Sequence, residues 1–236
     1  MTQLTKDPET IRTLFDAIAD QYDRLNTIMS LGIHHYWQKF AVNRIGVQPG
    51  SHFLDVCCGT GRITRSLAKK VGPDGKVIGL DLSARMLTVA KSRKLPANSG
   101  RVCFLQGDAQ KLPFAAATFD GAIISYGLRN VAAPLQVLRE MQRVVKPGGR
   151  IVSLELVTPG LPLVKQLYRW YLTYGITSLG RWVAQNERAY RYLCQSILNF
   201  GEASQITDHF HQLGLAKVEC HSLSWGIAVV HLGTVT

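Results

Sequence analysis

Cysteine is sparse in this chain, and the spacing of the cysteines is as informative as their number. The 236 residues include 5 cysteines, and no two of them form a C-x-x-C pair, the spacing typical of zinc sites and redox pairs. Cys57 and Cys58 are adjacent, and the total is odd. We therefore expect reduced thiols in a cytoplasmic protein and no metal centre built on cysteine. Cys103 and Cys194 are expected in the core.

Long apolar runs are also missing. No stretch of about 18 uncharged apolar residues occurs, so we expect no transmembrane helix. Residues 1–9 are polar and lack the apolar core of a secretory signal. Hydrophobic residues nevertheless make up 46% of the chain, which indicates a globular core rather than disorder.

Acidic residues are few relative to basic ones. Asp and Glu total 16 against 27 Lys and Arg, which gives a formal net charge of +11. Such a charge favours an anionic partner, either nucleic acid or an anionic membrane surface. The densest basic stretch, 91–94, lies at the predicted end of a helix, where the helix dipole favours basic side chains in any case. The sequence has no basic strand interleaved with aromatic residues, the pattern that would indicate an RNA-recognition module. We therefore expect no nucleic acid partner.

Two phosphate-binding glycine patterns are absent. The triphosphate loop G-x-x-x-x-G-K-[ST] does not occur. The dinucleotide pattern G-x-G-x-x-G would place its third glycine at Thr64, so that pattern is not met either. Nucleoside triphosphates and dinucleotides are therefore not the expected ligands.

The stretch from Phe53 to Gly61 predicts a strand, a tight turn and the start of a helix. Gly59 and Gly61 allow the backbone to turn sharply and to approach a ligand closely. A second apolar run ends at Asp81, about 20 residues after the glycines, where a Rossmann-type unit places the carboxylate that binds a ribose. The turn and this acid together predict a site for a nucleoside cofactor.

Alternating strands and helices predict the rest of the fold. Mostly apolar strands, as buried parallel strands should be, are predicted near 52–56, 76–81, 101–106, 119–125 and 150–156. Helices are predicted near 60–70, 83–93, 132–145 and 202–213, with further helices over 8–46. The run Lys146-Pro147-Gly148-Gly149 is predicted to end the helix near 132–145 before the next strand begins. An antiparallel hairpin of strands near 215–221 and 226–233 closes the chain.

We assign the chain to the α/β class as a single domain with a Rossmann-like, doubly wound sheet. Its predicted parts are N-terminal helices (1–50), a cofactor-binding core (51–157), a helical substrate cover (158–200), and a C-terminal helix with closing strands (201–236). Ligands of such sheets bind at the carboxyl ends of the strands. Asp108 follows the third strand, a position that suits a hydrogen bond to an adenine amino group.

The N-terminal helices contain two adjacent histidines, His34 and His35. Neighbouring residues on a helix point to different sides, so we predict no metal site here. A capping or pocket role is the expected one. Tyr22 shares a helix face with Asn26 and Met29.

Several blocks of the chain resemble the quinone C-methyltransferases of menaquinone and ubiquinone synthesis. The glycine turn is similar to the first motif of S-adenosylmethionine-dependent methyltransferases. The blocks that resemble the quinone family are 22–37 (Tyr-Asp-Arg-Leu-Asn, Met-Ser, His and Trp), 127–131, 143–150 with Glu155, 190–197 and 225–231. The resemblance covers about residues 11–233. Departures from the family pattern occur at Leu25, Cys57, Arg62, Asp108, Val157 and Trp225, which stand where Met, Gly, an acid, Asn, Ser and Thr are commoner.

The resemblance implies a class I methyltransferase fold with a seven-stranded sheet, as one methyltransferase domain. It implies S-adenosyl-L-methionine as the cofactor, and transfer of its methyl group to a ring carbon of a prenylated demethylquinol. We lean to demethylmenaquinol as the substrate, because the resemblance to menaquinone-only members is greater. The predicted cofactor-binding residues are Asp55, Gly59, Thr60, Gly61, Asp81, Asp108, Ala109 and Ser125.

On the substrate side, Arg129 and Asn130 are the predicted catalytic residues. An arginine cannot serve as a free base, but its charge can stabilise a phenolate. The alternative is that Arg129 pairs with a structural acid. The predicted pocket residues are Tyr22, His34, Tyr190 and His231.

The segment Leu161 to Ala184 combines Tyr and Trp with three interrupting charges, Lys165, Arg169 and Arg181. These charges disfavour a membrane span and favour surface contact, and Tyr and Trp settle at the water–lipid boundary. We therefore expect a helical cover that touches an anionic membrane, or else an ordinary packing helix.

Three other functions remain open at this point. One is a ubiquinone-pathway C-methyltransferase, and another is an RNA or small-metabolite methyltransferase on the same fold. An RNA methyltransferase would fit the net charge of +11, but the sequence lacks the Asn-Pro-Pro-Tyr type of motif seen in many base N-methyltransferases. The third is a non-catalytic scaffold, which would bind the cofactor weakly or not at all. A homodimer also stays open.

Overall fold

The computed structural model describes the backbone of residues 6–176 and 187–236, and their side chains except those of 176 and 187–190. Its strands are β1 (His52–Val56), β2 (Lys76–Asp81), β3 (Arg101–Gln106), β4 (Phe119–Ser125), β5 (Val145–Leu156), β6 (Ala216–Leu223) and β7 (Ala228–Thr234). Its α-helices are α1 (Pro8–Ile18), α2 (Tyr22–Met29), α3 (His34–Arg44), α4 (Arg62–Val71), α5 (Ala84–Ser92), α6 (Pro134–Val144), α7 (Pro162–Trp170), α8 (Glu187–Phe200) and α9 (Ala203–Gln212).

The strands form one seven-stranded sheet in the order β3-β2-β1-β4-β5-β7-β6. The first five strands run parallel, and β7 is antiparallel to both β5 and β6. In the middle of the sheet, Leu54 of β1 pairs with Ile78 of β2 on one side and with Ala122 of β4 on the other. The predicted α/β class and the closing antiparallel hairpin are confirmed.

Helices cover both faces of the sheet. On one face Leu67 of α4 and Ala41 of α3 pack with Phe53 of β1, and all three are buried. On the other face Met141 of α6 and Phe210 of α9 complete a second core. The central parallel strands are therefore buried from both sides, which is why they read as nearly continuous apolar runs.

Two features of the sheet differ from the sequence prediction. β5 begins at Val145, before the Pro147-Gly148-Gly149 run that was expected to separate helix from strand, and its pairing with β4 shifts register between Phe119 and Gly121. β3 lies at the edge of the sheet, so Cys103, expected in the core, is exposed. An apolar sequence cannot distinguish an edge strand from a central one.

The N-terminal helices and the cover helices pack together beside the carboxyl ends of the strands. Leu25 of α2, Tyr168 of α7 and Ile197 of α8 belong to one small buried cluster. A π-helical turn, Tyr171–Ile176, follows α7. Among the helices that the structure describes, none is long and apolar enough to cross a membrane.

Candidate active site

The turn after β1 is held in a conformation that few residues adopt. Gly59 and Gly61 have φ angles of 54° and 72°, and Cys57 has a φ of 57°. A Cβ atom on Gly61 would lie 2.8 Å from Cζ of Phe104, so only glycine fits there. The positive φ of Cys57 explains why a glycine is the easier residue at this position.

Asp81, at the end of β2, faces this turn. Its Oδ2 accepts a hydrogen bond from the Gly59 backbone N–H (2.7 Å), and its Oδ1 accepts one from the Ser83 N–H (2.9 Å). Burial raises the pKa of Asp81, and the two backbone donors act in the opposite direction. Each carboxylate oxygen still has a lone pair for a ligand hydroxyl.

A first cavity of about 770 Å³ lies between the strand ends and α1. Among its lining residues are five of the predicted cofactor-binding residues, namely Gly59, Asp81, Asp108, Ala109 and Ser125, together with Tyr22 of the predicted pocket. Ile11 and Phe15 of α1 close the cavity from outside, a role that the sequence did not predict. The Ser125 hydroxyl is buried without a hydrogen-bond partner in the described part of the chain.

Three predicted cofactor-binding residues do not line this cavity. Asp55 is buried and accepts a hydrogen bond from the Thr64 hydroxyl (2.5 Å), and burial raises its pKa to about 7. The Thr60 hydroxyl donates to Asp23 of α2 (2.8 Å). Gly61 supplies the left-handed residue before α4. These three support the turn from below rather than from the cavity side.

Asp23 is also the centre of a cluster of basic side chains. It forms ion pairs with Arg93 and with Arg62, the latter at 3.9 Å between Nη1 and Oδ2. Arg62 additionally contacts Nδ1 of His35 at 2.7 Å. Arg62, which stands where the family pattern has an acid, thus contacts the N-terminal helices and is not among the residues that line the first cavity.

Tyr126 forms the wall between two cavities, and the sequence did not single it out. It follows β4 directly, has a φ of 59°, and lines the first cavity and a second one of about 1420 Å³. Its phenol hydroxyl is buried with no hydrogen-bond partner among the described residues. A strained, non-glycine residue at the carboxyl end of a central strand is a signal of function that only the structure reveals.

The second cavity is lined mostly by apolar and aromatic side chains. The main contributors are Met29 of α2, Ile33 just before α3 and Trp37 of α3, Tyr168, Tyr171 and Leu172 from α7 and the following turn, and Leu193 and Ile197 from α8. This composition suits a large hydrophobic ligand. A third cavity of about 440 Å³ shares Asn26, Met29, Arg129 and Leu193 with it.

Arg129 brings a positive charge to the second cavity. The side chain is 4% exposed, and its Nη1 donates to Oε2 of Glu155 at 2.9 Å. Burial by itself would lower the pKa of Arg129, but the Glu155 carboxylate more than offsets this and the pKa is raised. The structural-acid alternative from the sequence is therefore present, and the arginine still lines the cavity.

Asn130 is fixed by its neighbours. Its Nδ2 donates to the Tyr126 carbonyl (2.9 Å), and its Oδ1 accepts from the Tyr192 hydroxyl (3.1 Å). It lines the first and third cavities. Asn130 thus links the backbone of Tyr126 to the side chain of Tyr192. A direct catalytic contact of Asn130 stays a prediction.

The remaining predicted pocket residues have different positions. His34 is buried and lines the second cavity. His231 does not line any of the three cavities: it lies in β7 and packs against Thr207 and Phe210 of α9, so its place in the pocket was wrong. The side chain of Tyr190 lies outside the described residues, as does the predicted cover from 177 to 186.

No group of three or more His, Cys, Asp or Glu side chains in the described ranges could hold a metal ion.

The candidate site combines two environments that meet at Tyr126. One is polar, with a carboxylate and backbone donors around a left-handed turn. The other is apolar, with one buried arginine. This arrangement can hold a polar cofactor and a hydrophobic aromatic substrate on opposite sides of one residue.

Comparison with known proteins shows which family and which structures the chain resembles. A family model described as the ubiE/COQ5 methyltransferase family matches residues 1–235. The chain is 40% identical to a demethylmenaquinone methyltransferase of Staphylococcus haemolyticus (99% of this chain, 97% of that protein), and 40% identical to one of Lactiplantibacillus plantarum (95% of each). It also resembles the solved structure of a SAM dependent methyltransferase from Aquifex aeolicus, with a TM-score of 0.60 and 18% identity over 84% of this chain and 89% of that one.

Proposed function

The chain belongs to the ubiE/COQ5 methyltransferase family, and from this membership we propose that it methylates a ring carbon of demethylmenaquinol with S-adenosylmethionine. The observation that carries the proposal is the pair of cavities that share Tyr126 as a wall. One cavity matches a nucleoside and the other a prenylated ring. The relatives from Staphylococcus haemolyticus and Lactiplantibacillus plantarum have the same reaction in their names.

The first cavity fits the cofactor. The free lone pairs of Asp81 suit the two ribose hydroxyls, and Asp108, which lines the same cavity, suits the adenine amino group. The buried Ser125 hydroxyl, which has no partner among the described residues, fits a ligand with polar groups of its own. When bound, the cofactor supplies an electrophilic methyl group. The chain itself positions the ring carbon and excludes water, since α1 covers one cavity and α7 the other.

The second cavity fits the quinol. Its aromatic and aliphatic lining can bind a naphthoquinol ring and the start of a prenyl chain. A quinol ring carbon becomes nucleophilic as electron density moves onto it from a hydroxyl oxygen. The fixed charge of Arg129 stabilises negative charge on that oxygen. Because Arg129 is already bonded to Glu155, its position is set before the substrate arrives.

The enzyme meets its substrate at the membrane surface. Exposed apolar side chains lie on the elements that form the second cavity: Leu31 is 92% exposed, Trp225 77%, and Leu163 and Trp170 of α7 70% and 64%. Leu31 and Trp225 also line the cavity. A prenylated quinol dissolves in the bilayer, so contact between these side chains and lipid would let it enter without crossing water. The net charge of +11 assists binding to anionic lipid.

The test is methylation with labelled S-adenosylmethionine and a panel of demethylquinols. We expect label in menaquinol when demethylmenaquinol is offered, and less or none with a demethylated ubiquinol precursor. Preferential labelling of the benzoquinol would make the ubiquinone pathway the function. Label in RNA and none in lipid would contradict the proposal altogether. Weak or absent cofactor binding in calorimetry would instead indicate a scaffold.

A further inference from the structure

His34 has a ring nitrogen that the described protein leaves without a partner. The side chain is 3% exposed, and it lines the second cavity together with Tyr126 and Arg129. Its Nε2 atom is buried and has no hydrogen bond in the described part of the chain. Leaving a buried polar atom unsatisfied costs about 1–3 kcal/mol. An unpaired nitrogen in a side chain that lines a cavity therefore points to a ligand that provides the missing partner.

The contacts of Ser30 define which nitrogen carries the hydrogen. The Ser30 hydroxyl donates to the Asn26 carbonyl (2.6 Å) and also lies 2.6 Å from Nδ1 of His34. Each contact requires a hydrogen, a carbonyl has none to give, and the hydroxyl has only one. The hydrogen of the second contact must come from Nδ1. In the neutral ring, Nε2 then carries a free lone pair.

The surroundings keep this ring neutral. Burial, with smaller contributions from the neighbouring charges of His35 and Arg62, lowers the pKa of His34 to about 4, and Asp23 acts in the opposite direction. Arg129, which lines the same cavity, is also positive. At neutral pH the ring is therefore uncharged and the lone pair on Nε2 is free.

We propose that His34 accepts, at Nε2, the hydroxyl proton of the aromatic substrate while that ring is methylated, with Ser30 as the residue that fixes its tautomer. This inference rests on the function proposed above. It assigns the proton acceptor that Arg129, always protonated, cannot be. Arg129 and His34 then divide the work, since one stabilises charge on the oxygen and the other takes its proton.

The atoms and electrons balance as follows. The ring carbon forms a bond to the methyl carbon, whose bond to sulfur breaks with the electron pair remaining on sulfur. In the same step the O–H bond breaks and its proton passes to Nε2 of His34, which leaves a neutral carbonyl and a protonated His34. Because this O–H bond becomes strongly acidic as electron density leaves the oxygen, an acceptor with a pKa of about 4 is basic enough to take the proton. Loss of the ring-carbon proton to water then restores the aromatic ring, and His34 returns its proton to the oxygen. One proton is released overall.

The tautomer and the contact can be observed without turnover. The experiment is nitrogen NMR of protein labelled with ¹⁵N-histidine, titrated with 1-naphthol in the presence of S-adenosylhomocysteine. We expect a protonated Nδ1 and an unprotonated Nε2 for His34, and a shift of Nε2 towards the protonated value when 1-naphthol binds. The resonance is identified by its loss in His34→Gln. A protonated Nε2, an unmoved resonance at saturation, or no binding of 1-naphthol overturns the proposal.

Kinetics give the second readout. His34→Ala should lower kcat by about 100-fold or more, the scale of general base catalysis, with unchanged affinity for S-adenosylhomocysteine. Added imidazole should restore part of the activity by occupying the vacated space. His211→Gln, an exposed histidine of α9, should behave as wild type.

A normal kcat for His34→Ala overturns the proposal, and so does a loss that imidazole does not restore in a variant that still binds S-adenosylhomocysteine. If His34→Ala does not fold, His34→Gln takes its place, and a normal kcat in that variant overturns the proposal while a reduced one supports it. Failure of the proposed function has a different signature. In that case the wild-type protein binds 1-naphthol and shows the Nε2 shift but transfers no methyl group to demethylmenaquinol.

Discussion

Asp81 both orders the glycine turn and faces the first cavity. The backbone N–H groups of Gly59 and Ser83 each donate to one of its oxygens, so the carboxylate is held in position before a ligand binds. Such preorganisation reduces the entropy lost on binding. The same two bonds mean that removing the carboxylate affects the turn as well as the ligand.

Asp81→Ala should weaken cofactor binding by about 2–4 kcal/mol, the scale of charge-assisted hydrogen bonds lost from a buried site. The measurement is calorimetry with S-adenosylhomocysteine. Asp74→Ala, in the exposed turn before β2, is the matched control and should bind as wild type. Equal affinity of Asp81→Ala and wild type would remove Asp81 from the site.

His231 is predicted to make stability depend on pH. Burial against Thr207 and Phe210 lowers its pKa from 6.5 to about 4, and His221 of β6 contributes in the same direction. The folded-state pKa lies below the unfolded one, so only the unfolded state binds a proton as the pH falls from 6.5 towards 4. This group should therefore lower the free energy of unfolding by about 2 kcal/mol between pH 7 and pH 5.

Urea denaturation of wild type and His231→Gln at both pH values measures this contribution. The variant should lose less stability on acidification than wild type, by that amount. His34, whose pKa is lowered in the same direction, remains in both proteins and cancels from the comparison. An identical pH dependence of the two proteins would mean that His231 does not control it.

At the scale of elements, the link between β1 and α4 depends on glycine for two separable reasons. Gly61 has a φ of 72°, which disfavours any L side chain, and Phe104 and Ala90 leave no room for a Cβ atom. Gly214, after α9, has a similar φ of 69° but nothing within 4 Å of its Cβ position. The two glycines therefore separate backbone strain from crowding.

Gly214→Ala should lower the free energy of unfolding by about 1 kcal/mol, from backbone strain alone. Gly61→Ala should lower it by about 2–4 kcal/mol, because overpacking adds to the same strain. Urea denaturation of the two variants beside wild type gives both values. If the two losses are equal, Phe104 moves aside at little cost and crowding does not explain the glycine.

The strands were predictable where local pattern decides the structure. β1 to β4 begin and end at the predicted residues, because apolar runs bounded by Gly, Pro and polar residues specify strands. The early start of β5 and the exposure of Cys103 were not predictable, since both depend on which strand lies beside which.

The site was predictable to the same extent. Strand ends identified Asp81, Asp108 and Ser125, which line the first cavity. The position of Asp55 beneath the turn and the strained backbone of Tyr126 follow from three-dimensional packing, for which sequence spacing carries no signal.

At the scale of the whole molecule, helix α7 and the turn that follows it carry apolar side chains on two opposite faces. Tyr168 and Leu172 point to the second cavity, while Leu163, Leu167 and Trp170, at helical spacing, are exposed on the opposite face. A helix that only closed a cavity would present polar side chains outward. The exposed stripe, next to the basic Lys165 and Arg169, is what an interfacial helix requires.

This asymmetry predicts that binding to vesicles depends on α7 and on anionic lipid. Wild type should float with vesicles that contain anionic lipid and much less with neutral ones, and salt should weaken the binding by screening the charge. Leu163→Ala/Trp170→Ala should reduce flotation, because it removes apolar area that would otherwise be buried in the lipid interface. The matched control is Leu95→Ala/Leu105→Ala, whose side chains are exposed near the β3 edge of the sheet. Equal flotation of both variants, or none for wild type, would leave α7 as a packing helix and require the quinol to reach the cavity by another route.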